Sequence, residues 1–181
     1  MCASLLKYDE AAAVSFYENE TKTAVLAMKC SENRNFGFFA GEMLGRWIKN
    51  QPEWMRSEGI AAVPMSRIKR LTRGYNQADI IAKAVSQETG IPIIKNCIIK
   101  RHGFRQQHTL SAAERAENTE CFIPAGRDLE GMRIILCDDI LTTGSTLSKC
   151  AEILKSCGAK TVYAAAAATV RRKREEQIWQ Q

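Results

Sequence analysis

The 181-residue sequence contains no apolar run near the roughly 20 residues that a membrane-spanning helix needs, which excludes a helical membrane protein. Its opening, from Met1-Cys2-Ala3-Ser4 through Leu5-Leu6-Lys7-Tyr8-Asp9-Glu10, lacks the long apolar stretch of an export signal. A cytoplasmic location is expected. No Cys-x-x-Cys pair occurs, and His102 and His108 are the only histidines, so no zinc is expected. Seven cysteines, at positions 2, 30, 97, 121, 137, 150 and 157, make an odd count in a chain without an export signal. That argues for reduced thiols, most of them in apolar contexts where Cys acts as a small hydrophobe. Internal repeats and low-complexity linkers are absent too, apart from the alanine run 164–168.

What remains is ordinary globular composition, 45% apolar and 25% charged, in a chain long enough to bury one real core. The net charge of +6 is unevenly spread. Nine basic residues lie between Ser66 and Arg105 (Arg67, Lys69, Arg70, Arg73, Lys83, Lys95, Lys100, Arg101, Arg105) against two acids, Asp79 and Glu88. A second cluster, Arg171-Arg172-Lys173-Arg174, lies near the end. A single Lys or Arg usually marks a solvated face, but clusters of this kind suit a partner carrying phosphates.

Up to about Pro52 the pattern is helical, with Phe36, Ala40, Met43, Leu44 and Trp47 predicted on one face. Beyond it, short apolar runs alternate with helices. Strands are predicted at Gly59–Val63, Ile91–Ile94, Cys97–Ile99, Arg133–Asp138 and Thr161–Thr169. Helices are predicted over Asn76–Glu88, from a capping box at Ser111-Ala112-Ala113-Glu114, and from about Ser145 to Gly158. Strands separated by helices in this order indicate an α/β domain with a mainly parallel sheet. In such sheets ligands gather at the carboxyl ends of the strands.

The chemistry concentrates in one segment, Ile134-Ile135-Leu136-Cys137-Asp138-Asp139-Ile140-Leu141-Thr142-Thr143-Gly144-Ser145-Thr146. A buried strand ends in two carboxylates, and a turn of hydroxyl residues and one glycine leads into a helix. The turn offers backbone N–H groups, hydroxyls and the positive end of a helix, which together cradle a phosphate. Carboxylates repel phosphate but accept hydrogen bonds from sugar hydroxyls and support a Mg²⁺ shell. Either half alone is ordinary strand or helix punctuation. Together, in this order, they suit a ribose 5-phosphate. A branched side chain at Gly144 is expected to fill the phosphate's space.

This segment resembles the phosphoribosyl pyrophosphate (PRPP) motif of type I phosphoribosyltransferases. With Arg73-Gly74-Tyr75-Asn76-Gln77 and the later Arg101, Gln107, Leu110-Ser111, Glu114-Arg115, Asn118 and Phe122, the pattern is similar to the ComF family. The likeness runs from about Lys29 to Arg171. It departs from the family in lacking a four-cysteine zinc ribbon, of which Cys2 is a remnant or a coincidence, and in carrying Phe104 where many members have Thr.

The resemblance implies a type I phosphoribosyltransferase fold, a mainly parallel sheet flanked by helices with a small N-terminal hood. The expected organisation is a hood segment over 1–52, a core over 53–171 and a basic tail over 172–181. Asp138 and Asp139 would be the catalytic pair, meeting the ribose hydroxyls and, through Mg-PRPP, the metal indirectly. Thr142, Thr143, Gly144, Ser145 and Thr146 would bind the 5-phosphate, and Ser66 and Arg67 the pyrophosphate. Lys100, Arg101 and Gln107 would belong to a mobile loop over 100–110. The expected activity is transfer of phosphoribose from PRPP, with Mg²⁺, to an acceptor the sequence does not name. Two alternatives stand beside it: a nucleic-acid-handling protein of DNA uptake and a non-catalytic sensor of PRPP or nucleotides. Single-stranded DNA and a second copy of the chain are kept as candidate partners; a membrane is not.

Overall fold

The computed structural model describes residues 6–30, 34–102 and 120–171. Along the chain run β1 (Glu10–Phe16), α1 (Asn19–Cys30), α2 (Asn35–Lys49), α3 (Pro52–Met55), β2 (Gly59–Ala62), α4 (Arg67–Arg73), α5 (Gln77–Thr89), β3 (Ile98–His102), β4 (Glu120–Pro124), β5 (Arg133–Leu141), α6 (Ser145–Ser156) and β6 (Thr161–Thr169). Strands β1, β6, β5 and β2 form a wholly parallel sheet in that order. β3 and β4 pair antiparallel as a separate hairpin.

Helices cover both faces of the parallel sheet, so its central strands are apolar throughout rather than alternating. Along β5, Ile134 and Leu136 join one buried cluster with Leu147 and Leu154 of α6. Ile135 and Cys137 join the opposite cluster with Leu44 of α2 and Ile81 of α5. The alanines of β6 divide the same way, Ala164 and Ala166 to one side, Ala165 and Ala167 to the other. Of the N-terminal segment 1–52, β1 is built into the sheet as an edge strand and α2 covers a sheet face.

α2 buries Ala40 and Leu44 as its spacing predicts, with Phe36 half-buried, but its inward face is rotated away from Met43 and Trp47. Met43 and Trp47 are 39% and 41% exposed, while Gly37, Ala40, Gly41, Leu44, Gly45 and Ile48 are buried. The cause is close helix contact: a Cβ on Gly41 would lie 2.5 Å from Ala84 Cβ and 2.7 Å from the Ile81 carbonyl oxygen. Glycines every fourth residue let α5 approach the α2 backbone, and the bulkier residues are left outside. Trp47 packs edge-on to Trp54, which stacks on Tyr163 and donates its Nε1–H to Glu10 at 2.8 Å.

Other boundaries shift modestly. Ile91–Ile94 shrinks to one parallel bridge, Ile60 to Ile93, and the next strand runs Ile98–His102. α5 starts at Gln77 behind Asn76 and stops at Gly90, whose φ of 77° is left-handed. β6 matches its expected span. The capping box at Ser111, Phe104, Gln107 and the tail 172–181 lie outside the described residues.

Candidate active site

β5 runs three residues further than expected, to Leu141, because Asp138, Ile140 and Leu141 still pair with Ala166, Ala168 and Thr169 of β6. The acids therefore lie within the carboxyl-terminal half of the strand. Beyond it, Thr142 and Thr143 are exposed and Gly144 is buried at φ 80°, the left-handed conformation that turns the chain into α6. Ser145 N–H donates to Thr143 Oγ1 at 3.3 Å, and the Ser148 N–H closes the first helical turn on the Gly144 carbonyl at 2.8 Å. Ser145 and Thr146, both exposed, open a three-turn helix, so the turn keeps the form of an anion seat.

The space above Gly144 differs from the expectation. A Cβ there would lie 2.6 Å from Tyr8 Oη and 3.3 Å from Leu6 Cδ2. The N-terminal stretch is strapped along α6, with Lys7 N–H donating to Ser148 Oγ at 3.0 Å and the Asp9 carboxylate binding Lys155 Nζ at 2.9 Å. A side chain at 144 thus meets Tyr8 before it meets any ligand.

At the carboxyl ends of β2 and β5 lies a cleft of about 270 Å³. Asp138, Asp139, Ile140 and Thr146 form one wall, the Val63–Met65 strand exit another, and Asn76, Gln77 and Ala78 at the start of α5 the floor. Four cations reach it from three elements: Lys29 at the end of α1, Lys69 and Arg73 on α4, and Lys100 on β3. Lys29 Nζ lies 2.8 Å from Asp139 Oδ2, with the two side chains only 24% and 18% exposed. Burial, and then the neighbouring Asp139 charge, push the Asp138 carboxyl up to about 7. One of its oxygens accepts the Asp139 N–H at 2.8 Å.

Tyr75, Asn76 and Gln77 hold this cleft together from beneath. The Asn76 amide donates to the Val63 carbonyl at 2.9 Å, tying the start of α5 to the exit of β2. The Tyr75 hydroxyl and the Gln77 amide both donate to the carbonyl of Met28, one residue before Lys29. All three side chains are buried.

The two residues expected at the pyrophosphate sit beside the cleft rather than in its lining. Ser66 is buried as the N-cap of α4, its hydroxyl accepting from Lys69 N–H, and Arg67 is exposed on the helix; neither lines the cleft. The same segment sends in Lys69 and Arg73 instead. Lys100 does line the cleft, with Nζ 5.1 Å over the Phe122 ring, whereas Arg101 is exposed and absent from the lining. Both belong to β3, paired with Phe122 and Cys121, so the expected loop over 100–110 starts as strand. Lys29 escaped the sequence, since nothing local marks a lysine at a helix end as the partner of an acid a hundred residues away. The signal was indirect: the Tyr75–Gln77 motif, whose buried side chains reach back to α1.

The chain matches the phosphoribosyl transferase domain over residues 71–179. It is 31% identical over 108 residues to competence protein F of Haemophilus influenzae, covering 58% of this chain and 47% of that one. It is 32% identical over 95 residues to competence protein ComFC of Bacillus subtilis, covering 52% of this chain and 37% of that one. The chain thus spans less than half the length of these relatives. In fold it is similar to the glutamine PRPP amidotransferase of Bacillus subtilis, with a TM-score of 0.50 at 20% identity over 74% of this chain and 26% of that one. Adenine phosphoribosyl transferase of Trypanosoma brucei matches at a TM-score of 0.50 and 17% identity, over 93% of this chain and 74% of that one. A parallel sheet, an acid pair on its central strand, a glycine turn into a helix and the domain match agree: the chain belongs to the phosphoribosyltransferase family, in its ComF branch.

Proposed function

We propose that the protein binds PRPP and transfers its phosphoribosyl group to an acceptor, releasing pyrophosphate. The observation that carries this is one cleft lined by Asp138, Asp139, Thr146 and four cations, with Thr142–Ser145, which do not line it, forming the turn that leads into α6. Thr142 to Thr146 seat the 5-phosphate with N–H groups and hydroxyls, and the carboxylates accept hydrogen bonds from the ribose hydroxyls. Lys69, Arg73 and Lys100 face the diphosphate and stabilise the negative charge that grows on it as the C1–O bond breaks. Among the described residues no group of three or more His, Cys, Asp or Glu side chains could enclose a metal ion. The ion would be carried in on the diphosphate, with the acid pair as its outer neighbours. Mg²⁺ so bound would neutralise part of the leaving group's charge.

Isothermal titration with PRPP and Mg²⁺, followed by a product assay across nucleobases and amines, tests the proposal. Heat of binding and pyrophosphate release with one acceptor class are expected. No heat from a protein with normal circular dichroism would sink it. Heat without turnover on any acceptor would leave the sensor of PRPP or nucleotides.

A second function is favoured by the names of the relatives, which include DNA utilization protein YhgH of Salmonella typhi, 30% identical over 57% of this chain. α4 carries Arg67, Lys69, Arg70 and Arg73 with no buried residue, a basic surface suited to a phosphate backbone. A fluorescence-anisotropy salt titration with single-stranded DNA separates the two. Arg172, Lys173 and Arg174 changed together to Ala should weaken DNA binding and leave PRPP binding intact; a parent that binds no DNA removes this function.

A further inference from the structure

Lys29 is held in the cleft by more than its own ion pair. The preceding residue, Met28, is fully buried, and its carbonyl accepts from both the Tyr75 hydroxyl and the Gln77 amide. The Arg34 guanidinium lies over the Tyr75 ring, 4.6 Å from its centre. A surface lysine–carboxylate pair gains little, because two long side chains must be ordered in water. Here the backbone beneath the lysine is fixed by two buried donors, and the pair is mostly shielded from solvent. The ammonium engages Oδ2 of Asp139 and leaves Oδ1 to other partners. Without a cation at this point, two adjacent carboxylates would repel each other across one small cleft.

We infer that Lys29 is the positioning residue of the acid pair, holding the Asp139 carboxylate in the place from which it accepts a hydroxyl of the ribose diol. The inference rests on the phosphoribosyltransferase function proposed above and adds α1 to the sugar site. Lys29 acts through Asp139, and its effect is specific to the sugar hydroxyls rather than the phosphate. The Tyr75-Asn76-Gln77 motif then joins the β2 exit, the start of α5 and the end of α1 around one sugar.

The test compares ribose 5-phosphate with 2,3-dideoxyribose 5-phosphate by isothermal titration, in the parent and in Lys29→Met, Lys29→Arg, Asp139→Asn and the double variant Lys29→Met/Asp139→Asn. The parent should prefer the ribose compound. Lys29→Met should lose about tenfold of that preference, the scale of one charge-assisted hydrogen bond, with the dideoxy affinity nearly unchanged. Lys29→Arg should retain most of it, and adding Lys29→Met to Asp139→Asn should cost little more. Equal weakening of both ligands by Lys29→Met would make Lys29 a phosphate contact or a structural residue and overturn the inference. So would an unchanged preference. A parent that binds neither compound, or does not distinguish them, overturns the phosphoribosyltransferase function and Lys29's role with it. A parent with a clear preference that Lys29→Met keeps removes Lys29 alone.

Discussion

Two strand-to-helix turns face each other across the cleft, and they are built differently. The turn after β5 passes through buried Gly144 into α6, which buries Leu147, Cys150, Ala151 and Leu154. The turn after β2 passes through Ser66 into α4, which buries nothing; Ile68 and Leu71 stand 60% and 86% exposed. One turn is anchored by a helix that belongs to the core. The other is held by a serine cap, an Asn76 hydrogen bond to Val63 and a solvent-exposed Arg70–Asp79 contact at 3.4 Å. Few buried contacts mean a low local opening free energy. The acid-pair side is anchored in the core, and the basic side is the more easily opened of the two.

If that contrast is right, changes on the β5 side should cost most. Asp138→Asn with Asp139→Asn removes two carboxylate acceptors, each worth about 1.5–3 kcal/mol, so PRPP binding should fall well over tenfold by titration calorimetry. Binding that survives the double change would place the sugar elsewhere. Gly144→Val should come next. It forces a branched residue to φ 80°, at a cost of about 1–2 kcal/mol, and drives its Cβ against Tyr8 Oη. Both the melting temperature and phosphate affinity should drop, and adding Tyr8→Ala should recover part of the melting temperature alone.

Much of the anchored side was legible in the sequence. A continuous apolar run, two acids, a hydroxyl turn and a helical period occur in order, each strong locally, and α6 and β6 fall where the pattern puts them. The looser side was not. α4 has no apolar period because it buries no face, and its cleft-facing Lys69 and Arg73 resemble their outward neighbours Arg67 and Arg70. β1, Glu-Ala-Ala-Ala-Val-Ser-Phe, carries too weak a strand pattern to reveal that β6 recruits it. The buried face of α2 was read only in part, at Ala40 and Leu44, because glycines, which add no apolar signal, are what α5 packs against.

On the basic side, Lys69→Ala with Arg73→Ala should weaken PRPP binding several-fold with little change in melting temperature, since α4 supports none of the core. Arg67→Ala should do almost nothing, and an equal loss from Arg67→Ala would return the pyrophosphate contact to that residue. Proton linkage gives a graded effect. The Asp138 carboxyl is raised from 3.8 to about 7 in the folded protein, so the folded state binds the proton more tightly than the unfolded one. That penalty on stability is present above the folded value and fades as pH falls towards the unfolded one. Relative to Asp138→Asn, the ligand-free parent should gain stability as pH drops from about 7 to about 4, measured by urea denaturation. A flat difference would mean that the carboxyl is not held in a desolvated site.

The position of β6 has a consequence for how the protein is made. Its five consecutive alanines are strong helix formers, and only neighbours on both sides make them a strand. One of those neighbours is β1, where Glu10 pairs with Tyr163. On the ribosome, β1 therefore emerges early and waits, its edge unsatisfied, until nearly all the rest of the domain has been synthesised. The main sheet cannot close stepwise from its amino end. It closes late, once β6 is there to pair with both β1 and β5.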